Sequence, residues 1–140
     1  MSDVIAGGCL CGKIRYTVSQ PMLNVIACHC TNCQKASGSA VSHNTPVPKN
    51  ALTITQGAPK VFVDTANSGN KLYRYFCGDC GSPLYSQREK TPEMIVIKVG
   101  SLDSTDSMKL IMNIWTNSAR PWVHRDAATE SYPENRPIKS

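Results

Sequence analysis

Seven cysteines, all confined to three short runs, constrain this 140-residue chain more than any other feature. The runs are CLC at 9–11, CHCTNC at 28–33 and CGDC at 77–80, and no cysteine stands outside them. Thiols two or three positions apart suit metal coordination. A Cys-x-Cys or Cys-x-x-Cys turn brings two sulfurs to about 3.5–4 Å, the separation that Zn–S bonds of about 2.3 Å require. A disulfide framework would leave one thiol of an odd count unpaired. The N-terminal MSDVIAGGCLCG carries an acidic residue and no long apolar run, so it does not read as a secretory leader. The thiols are therefore expected in a reducing, cytoplasmic setting, as metal ligands or catalytic groups.

Zinc takes four tetrahedral ligands when structural and keeps one position open when catalytic. Cys9 and Cys11 with Cys77 and Cys80 would make a closed site, joining segments with 65 residues between Cys11 and Cys77. Cys28, Cys30 and Cys33 would then form a three-thiolate site. Spacing equally permits a ribbon-like site of Cys30 and Cys33 with Cys77 and Cys80, stranding Cys9, Cys11 and Cys28. The three-thiolate reading has its own rival, a second structural zinc closed by His29, His43 or Asp79.

Length favours a single domain, 1–133, with a polar, proline-broken tail at 134–140. Apolar residues at 41% and charged ones at 18% are an ordinary globular mix with enough material for a core. The formal charge of +5 counts every cysteine as neutral. Seven thiolates on two Zn²⁺ contribute −3, which leaves +2. Lys and Arg are scattered singly, so no nucleic-acid footprint is expected. The longest apolar stretch, MIVIKVG at 94–100, is interrupted by Lys98 and falls far short of a bilayer span, so no membrane partner is expected.

Strand patterns dominate. Ile14, Tyr16 and Val18 alternate with Lys13, Arg15 and Thr17, as a half-buried strand requires. Further strands are predicted at 51–57, 60–64, 71–77, 83–87, 94–102 and 109–115, with a hairpin turn at Asn67-Ser68-Gly69-Asn70. One short helix is predicted after the middle motif, capped by Thr31 or Asn32 and stopped by Gly38. The expected class is mainly β, compact and mostly antiparallel.

As a set, GGCLCGKIRY (7–16), CHCTNCQKASGSA (28–40), FCGDCGSPLY (76–85) and IWTNSARPW (114–122) resemble the glutathione-dependent formaldehyde-activating enzyme family, which includes centromere protein V. The resemblance covers most of the chain. It implies a β-tent (Mss4-like) fold of twisted antiparallel sheets with two zinc sites. It also implies the first partition: Cys9, Cys11, Cys77 and Cys80 on a structural zinc, and Cys28, Cys30 and Cys33 on a catalytic one. The activity it implies is that of a carbon–sulfur lyase of the S-(hydroxymethyl)glutathione synthase type. Glutathione would be co-substrate, or a similar small thiol with formaldehyde or another small electrophile. The competing reading is a non-catalytic zinc module for a protein or nucleic-acid partner; a homo-oligomer is compatible with either. Many members of the family carry a histidine where this chain has Asn113.

Other residues have two readings each. His29 lies between two ligands and is expected to point away from them. Lys35, Ser37 and Ser39 either meet substrate polar groups or form a solvated turn. Trp115 and Trp122 either wall a cleft or fill core. His124 reads as a surface residue.

Overall fold

The computed structural model describes residues 4–19, 24–66 and 68–135. They form two sheets. The smaller contains β1 (Val4–Gly8), β2 (Arg15–Ser19) and β5 (Leu52–Gln56) in the order β1-β2-β5. The larger contains β3 (Asn24–Cys28), β4 (Ser42–Pro48), β6 (Lys60–Thr65), β7 (Lys71–Phe76), β8 (Pro83–Arg88), β9 (Met94–Lys98), β10 (Lys109–Ile114) and β11 (Glu130–Ser131). Its strand order is β11-β10-β3-β4-β9-β8-β7-β6. The protein is mainly β with one helix, α1 (Thr31–Ser37). Pairing is antiparallel except at β10, which runs parallel to both β3 and β11.

The alternation at 14–18 decides the core. Ile14, Tyr16 and Val18 are 2%, 0% and 0% exposed, and they pack with Val47, Leu84, Ile95 and Ile97 from the larger sheet and with Leu102, which bridges to Gly7. Tyr16 keeps its hydroxyl satisfied by Ser101 Oγ at 2.5 Å, so a phenol can sit in an apolar interior. Arg15, on the opposite face, forms an ion pair with Asp103.

Several elements depart from the expected pattern. β9 ends at Lys98, where a 3₁₀ turn, Val99–Ser101, replaces the predicted continuation. The helix is capped by Cys30, whose Sγ accepts from Cys33 N–H at 3.2 Å, and not by Thr31 or Asn32. β1 escapes a pattern search because Gly7 and Gly8 dilute it. Gly7 is required there, since a Cβ would lie about 2.5 Å from the Tyr16 hydroxyl. β4 hides behind Pro46 and Pro48. β3 pairs with it only through Asn44, so beyond that point a missing N–H costs no bond on that side.

The hairpin between β6 and β7 closes as expected, with Thr65 opposite Lys71; Asn67 of its turn lies outside the described residues. Of the tail, Glu134 and Asn135 accept hydrogen bonds from Trp115 N and Nε1, while 136–140 lie outside the described residues. Among the described residues, no helix is long and apolar enough to cross a membrane.

Candidate metal centres

The fold assembles two sulfur clusters. Cys9, Cys11, Cys77 and Cys80 lie with their sulfurs within 4.8 Å of one another, and so do Cys28, Cys30 and Cys33. The ribbon-like alternative pairing of Cys30 and Cys33 with Cys77 and Cys80 is not the one the fold brings together.

The first cluster joins the loop entering β2 to the loop leaving β7. Two of its sulfur–sulfur distances are 3.6 Å (Cys9–Cys11) and 3.8 Å (Cys11–Cys77). Four sulfurs about 2.3 Å from one ion at tetrahedral angles would stand about 3.8 Å apart, so the donor set fits zinc. Backbone amides already point at the sulfurs, Ile14 N at Cys9 and Asp79 N at Cys77. Gly81 sits at φ +79°, which lets its N–H return to Cys77 O at 2.8 Å and tighten the Cys-x-x-Cys turn. Ser82 ties the two turns together: its hydroxyl oxygen accepts from Leu10 N–H and lies 3.2 Å from Cys80 Sγ. That hydroxyl holds the Cys80 thiol down to about 5.

The second cluster sits where β3 ends and α1 begins. Cys28 is buried, while Cys30 and Cys33 are half-buried. Thiol neighbours are the largest influence on their acidities. Cys28 and Cys30 donate toward Cys33 and, with the positive charges of Lys98 and Arg74, pull it down to about 2; Cys28 is pushed up. No His, Asp or Glu among the described residues joins these three sulfurs. Asp79 is in an ion pair with Lys13 at 3.4 Å, and His43 is on the exposed side of β4. His29 is 1% exposed, and its Nε2 lies 2.9 Å from Asn113 Oδ1.

His29 therefore points away from the sulfurs, as expected, yet it is more than a bystander. Its backbone N–H donates to Ile114 O at 3.0 Å and its ring pairs with Asn113, so both ends anchor the Cys28–Cys30 turn to β10. Gln34 completes the brace from α1. Its Nε2 donates to His29 O (2.7 Å) and Ser118 O (3.1 Å), and its Oε1 accepts from Arg120 Nε at 2.8 Å. The 114–122 segment thus serves the middle cysteine motif directly.

Gln34→Leu would leave the buried His29 O unpaired and would also take the side-chain partner from half-buried Ser118 O and from the exposed Arg120 guanidinium. The expected cost is about 2–3 kcal/mol in denaturant unfolding, with faster chelator removal of metal from the three-sulfur cluster. An unchanged midpoint and an unchanged release rate would show that the brace is idle.

Of the other residues singled out, Ser37 donates to Cys33 O at 2.8 Å and so stabilises α1, while Lys35 and Ser39 are exposed. Trp122 is 75% exposed and fills no core. Trp115 is half-buried at φ +59°, a left-handed conformation uncommon for a non-glycine residue. Sequence reasoning missed Gln34, Arg120, Lys98 and Arg74. Arg74 is held by Asp64 at 2.9 Å, and Asn32 at the start of α1 also donates to that carboxylate. Gln34 and Arg120 are 86 positions apart, and a contact over that separation leaves no local signal.

The family model and the curated relatives agree on one family. The model of the glutathione-dependent formaldehyde-activating enzyme family matches residues 4–118. An Emericella nidulans protein provisionally named as such an enzyme is 35% identical over 81 residues, 58% of this chain and 40% of that protein. A Penicillium rubens protein of the same provisional name is 33% identical over 94 residues, 64% of this chain and 48% of its own length. The matched region spans less than half of either relative. A crystal structure of a Rhodobacter sphaeroides protein superposes with a TM-score of 0.58 at 19% identity, covering 91% of this chain and 98% of that one. That likeness is one of fold.

Proposed function

The chain belongs to the glutathione-dependent formaldehyde-activating enzyme family, and from that premise we propose that it is a carbon–sulfur lyase. Its substrates are adducts of glutathione, or a similar small thiol, with formaldehyde or another small electrophile. Cys9, Cys11, Cys77 and Cys80 hold a structural Zn²⁺; Cys28, Cys30 and Cys33 hold a working one. Two Zn²⁺ per chain, a single domain and a cytoplasmic location are part of the same reading. The observation that carries it is the three-sulfur cluster to which no fourth protein ligand is added among the described residues.

When bound, zinc with three thiolates supplies one remaining position that favours the deprotonated form of a guest thiol. The protein's own residues do the rest. The thiol sulfur forms a bond to the carbonyl carbon, and the carbonyl oxygen ends with the proton that the thiol gave up. The cluster is fixed by the α1 cap at Cys30 and by the His29, Asn113 and Gln34 contacts, so the guest meets a preset geometry.

The test is exchange NMR of glutathione with formaldehyde at equilibrium. Protein with two bound zinc ions is expected to accelerate formation and breakdown of S-(hydroxymethyl)glutathione in proportion to its concentration. Rates equal to buffer for the metal-replete protein would overturn the lyase reading and favour the binding module.

A further inference from the structure

Lys98 was conspicuous in the sequence as a charge interrupting an apolar strand, and the fold gives it a built environment. It stands directly across from Asn44 in the β4–β9 ladder. Its Nζ donates to Asn44 Oδ1 at 2.8 Å and to Ser42 Oγ at 3.2 Å. Ser42 and Asn44 are 3% and 7% exposed and bond to each other. Two buried polar side chains and a half-buried lysine, on the face of β9 opposite Ile95 and Ile97, cost stability that apolar residues would not. The ammonium has three N–H groups, and two are used. Among the described residues, Lys98 has no carboxylate partner, whereas Arg74, the other cation that lowers the Cys33 thiol, is neutralised by Asp64.

Lys98 and Ser42 also line a cavity of about 470 Å³. This cavity reaches Ser37 at the end of α1 and His43, and its lining also includes Cys9 and Ser82 at the four-sulfur cluster and the Arg15–Asp103 ion pair, whose carboxylate is neutralised by the guanidinium. Ser42 is the cross-strand neighbour of Cys28, so one wall of the cavity is shared with the three-sulfur cluster, although none of its three cysteines lines the cavity itself. The volume falls in the range of small-molecule sites.

We propose that this cavity is the subsite for the acidic part of the guest thiol, with Lys98 binding its carboxylate. The inference rests on the lyase reading for the placement of the guest sulfur, and it assigns the residue that would distinguish acidic thiols from neutral ones. Neutral thiols of similar size lack the anchor. Lys98 is a specificity-determining residue and takes no part in the bonds made and broken. A duller role is that Lys98 only offsets the charge of the three thiolates. In that case its loss would weaken metal retention and would be indifferent to charge on the guest.

Equilibrium binding of S-methylglutathione separates these roles, because its thioether lacks an ionisable thiol while both carboxylates remain. By calorimetry, metal-replete wild-type protein is expected to bind it about tenfold or more tightly than its diethyl ester. Lys98→Met should reduce that ratio to within about twofold, and Lys98→Arg should retain most of it. Metal content is measured on the same samples. The proposal fails if wild-type protein binds neither probe, binds both equally, or keeps its preference in Lys98→Met. It fails also if Lys98→Met loses metal while the remaining loaded protein still discriminates. Catalytic failure is distinguishable: no exchange activity with Lys98-dependent discrimination sinks the lyase reading alone. Activity with equal KM for glutathione and its diester sinks this inference alone.

Discussion

Cys77→Ser is expected to abolish the cooperative fold. Cys77 is 1% exposed and, with Cys9, belongs to the same core cluster as Tyr16, Leu84 and Ile97. The four-sulfur cluster closes the loop from Cys11 to Cys77 and fastens the small sheet to the large one. Metal held by four thiolates becomes folding free energy, about 10–16 kcal/mol for isolated structural zinc sites. The net stability of a domain is about 5–15 kcal/mol, so losing one ligand of the closed site consumes most of the margin. Circular dichroism with thermal melting and metal analysis reads the outcome. The expected result is no cooperative transition at 25 °C and above, with at least one zinc lost. A melt within a few degrees of wild type would remove the structural role from this cluster.

Cys33→Ser should do the opposite. None of the three sulfurs at 28–33 belongs to the core cluster. Cys33 is half-buried on α1, and it is Cys30 Sγ that caps the helix, so a serine at 33 leaves the cap in place. The expected protein is folded, melts within about 5 °C of wild type, and holds one zinc in place of two. Its exchange activity falls to the buffer rate, a loss limited only by assay sensitivity. Serine is a poor zinc ligand at neutral pH because its hydroxyl keeps its proton where a thiol does not. Retained activity with one zinc would move the chemistry elsewhere; unfolding as severe as that of Cys77→Ser would make the cluster structural. The two substitutions together ask whether the clusters divide fold from function.

The contrast between clusters was only partly legible in the sequence. Strands β2 and β5–β10 announce themselves because each carries its own alternation or apolar run between turn residues. β1, β3 and β4 do not. Gly7 and Gly8 thin out the first, β3 runs straight into the cysteine motif, and Pro46 and Pro48 disguise the last. The sheet forms there because tertiary neighbours, Tyr16 above Gly7 and β9 beside β4, outweigh weak local propensity. Cysteine spacing marked every sulfur in the two clusters, but it left their partition open. Local turns fix pairs, and only the fold decides which pairs meet across 65 residues.

The surroundings of the three-sulfur cluster were least legible. His29 and Asn113 are 84 positions apart, as are Gln34 and Ser118. The parallel β3–β10 ladder brings both pairs together, and a parallel ladder depends on contacts with no local signature. The amide oxygen of Asn113 is the partner of the buried His29 ring. Lys98 showed in the sequence only as a charge interrupting an apolar stretch; its partners Ser42 and Asn44 lie on a strand more than fifty positions away.

The central claim is that one metal centre is closed by four cysteines and the other, with three, accepts the thiol of the substrate. Cadmium NMR of protein loaded with two cadmium ions resolves the two centres separately. Two resonances are predicted. On titration with glutathione, the one lost in Cys33→Ser should shift downfield toward the position of the four-sulfur centre, while the other stays fixed. Two resonances that ignore saturating glutathione, or a shift confined to the four-sulfur centre, would contradict the account.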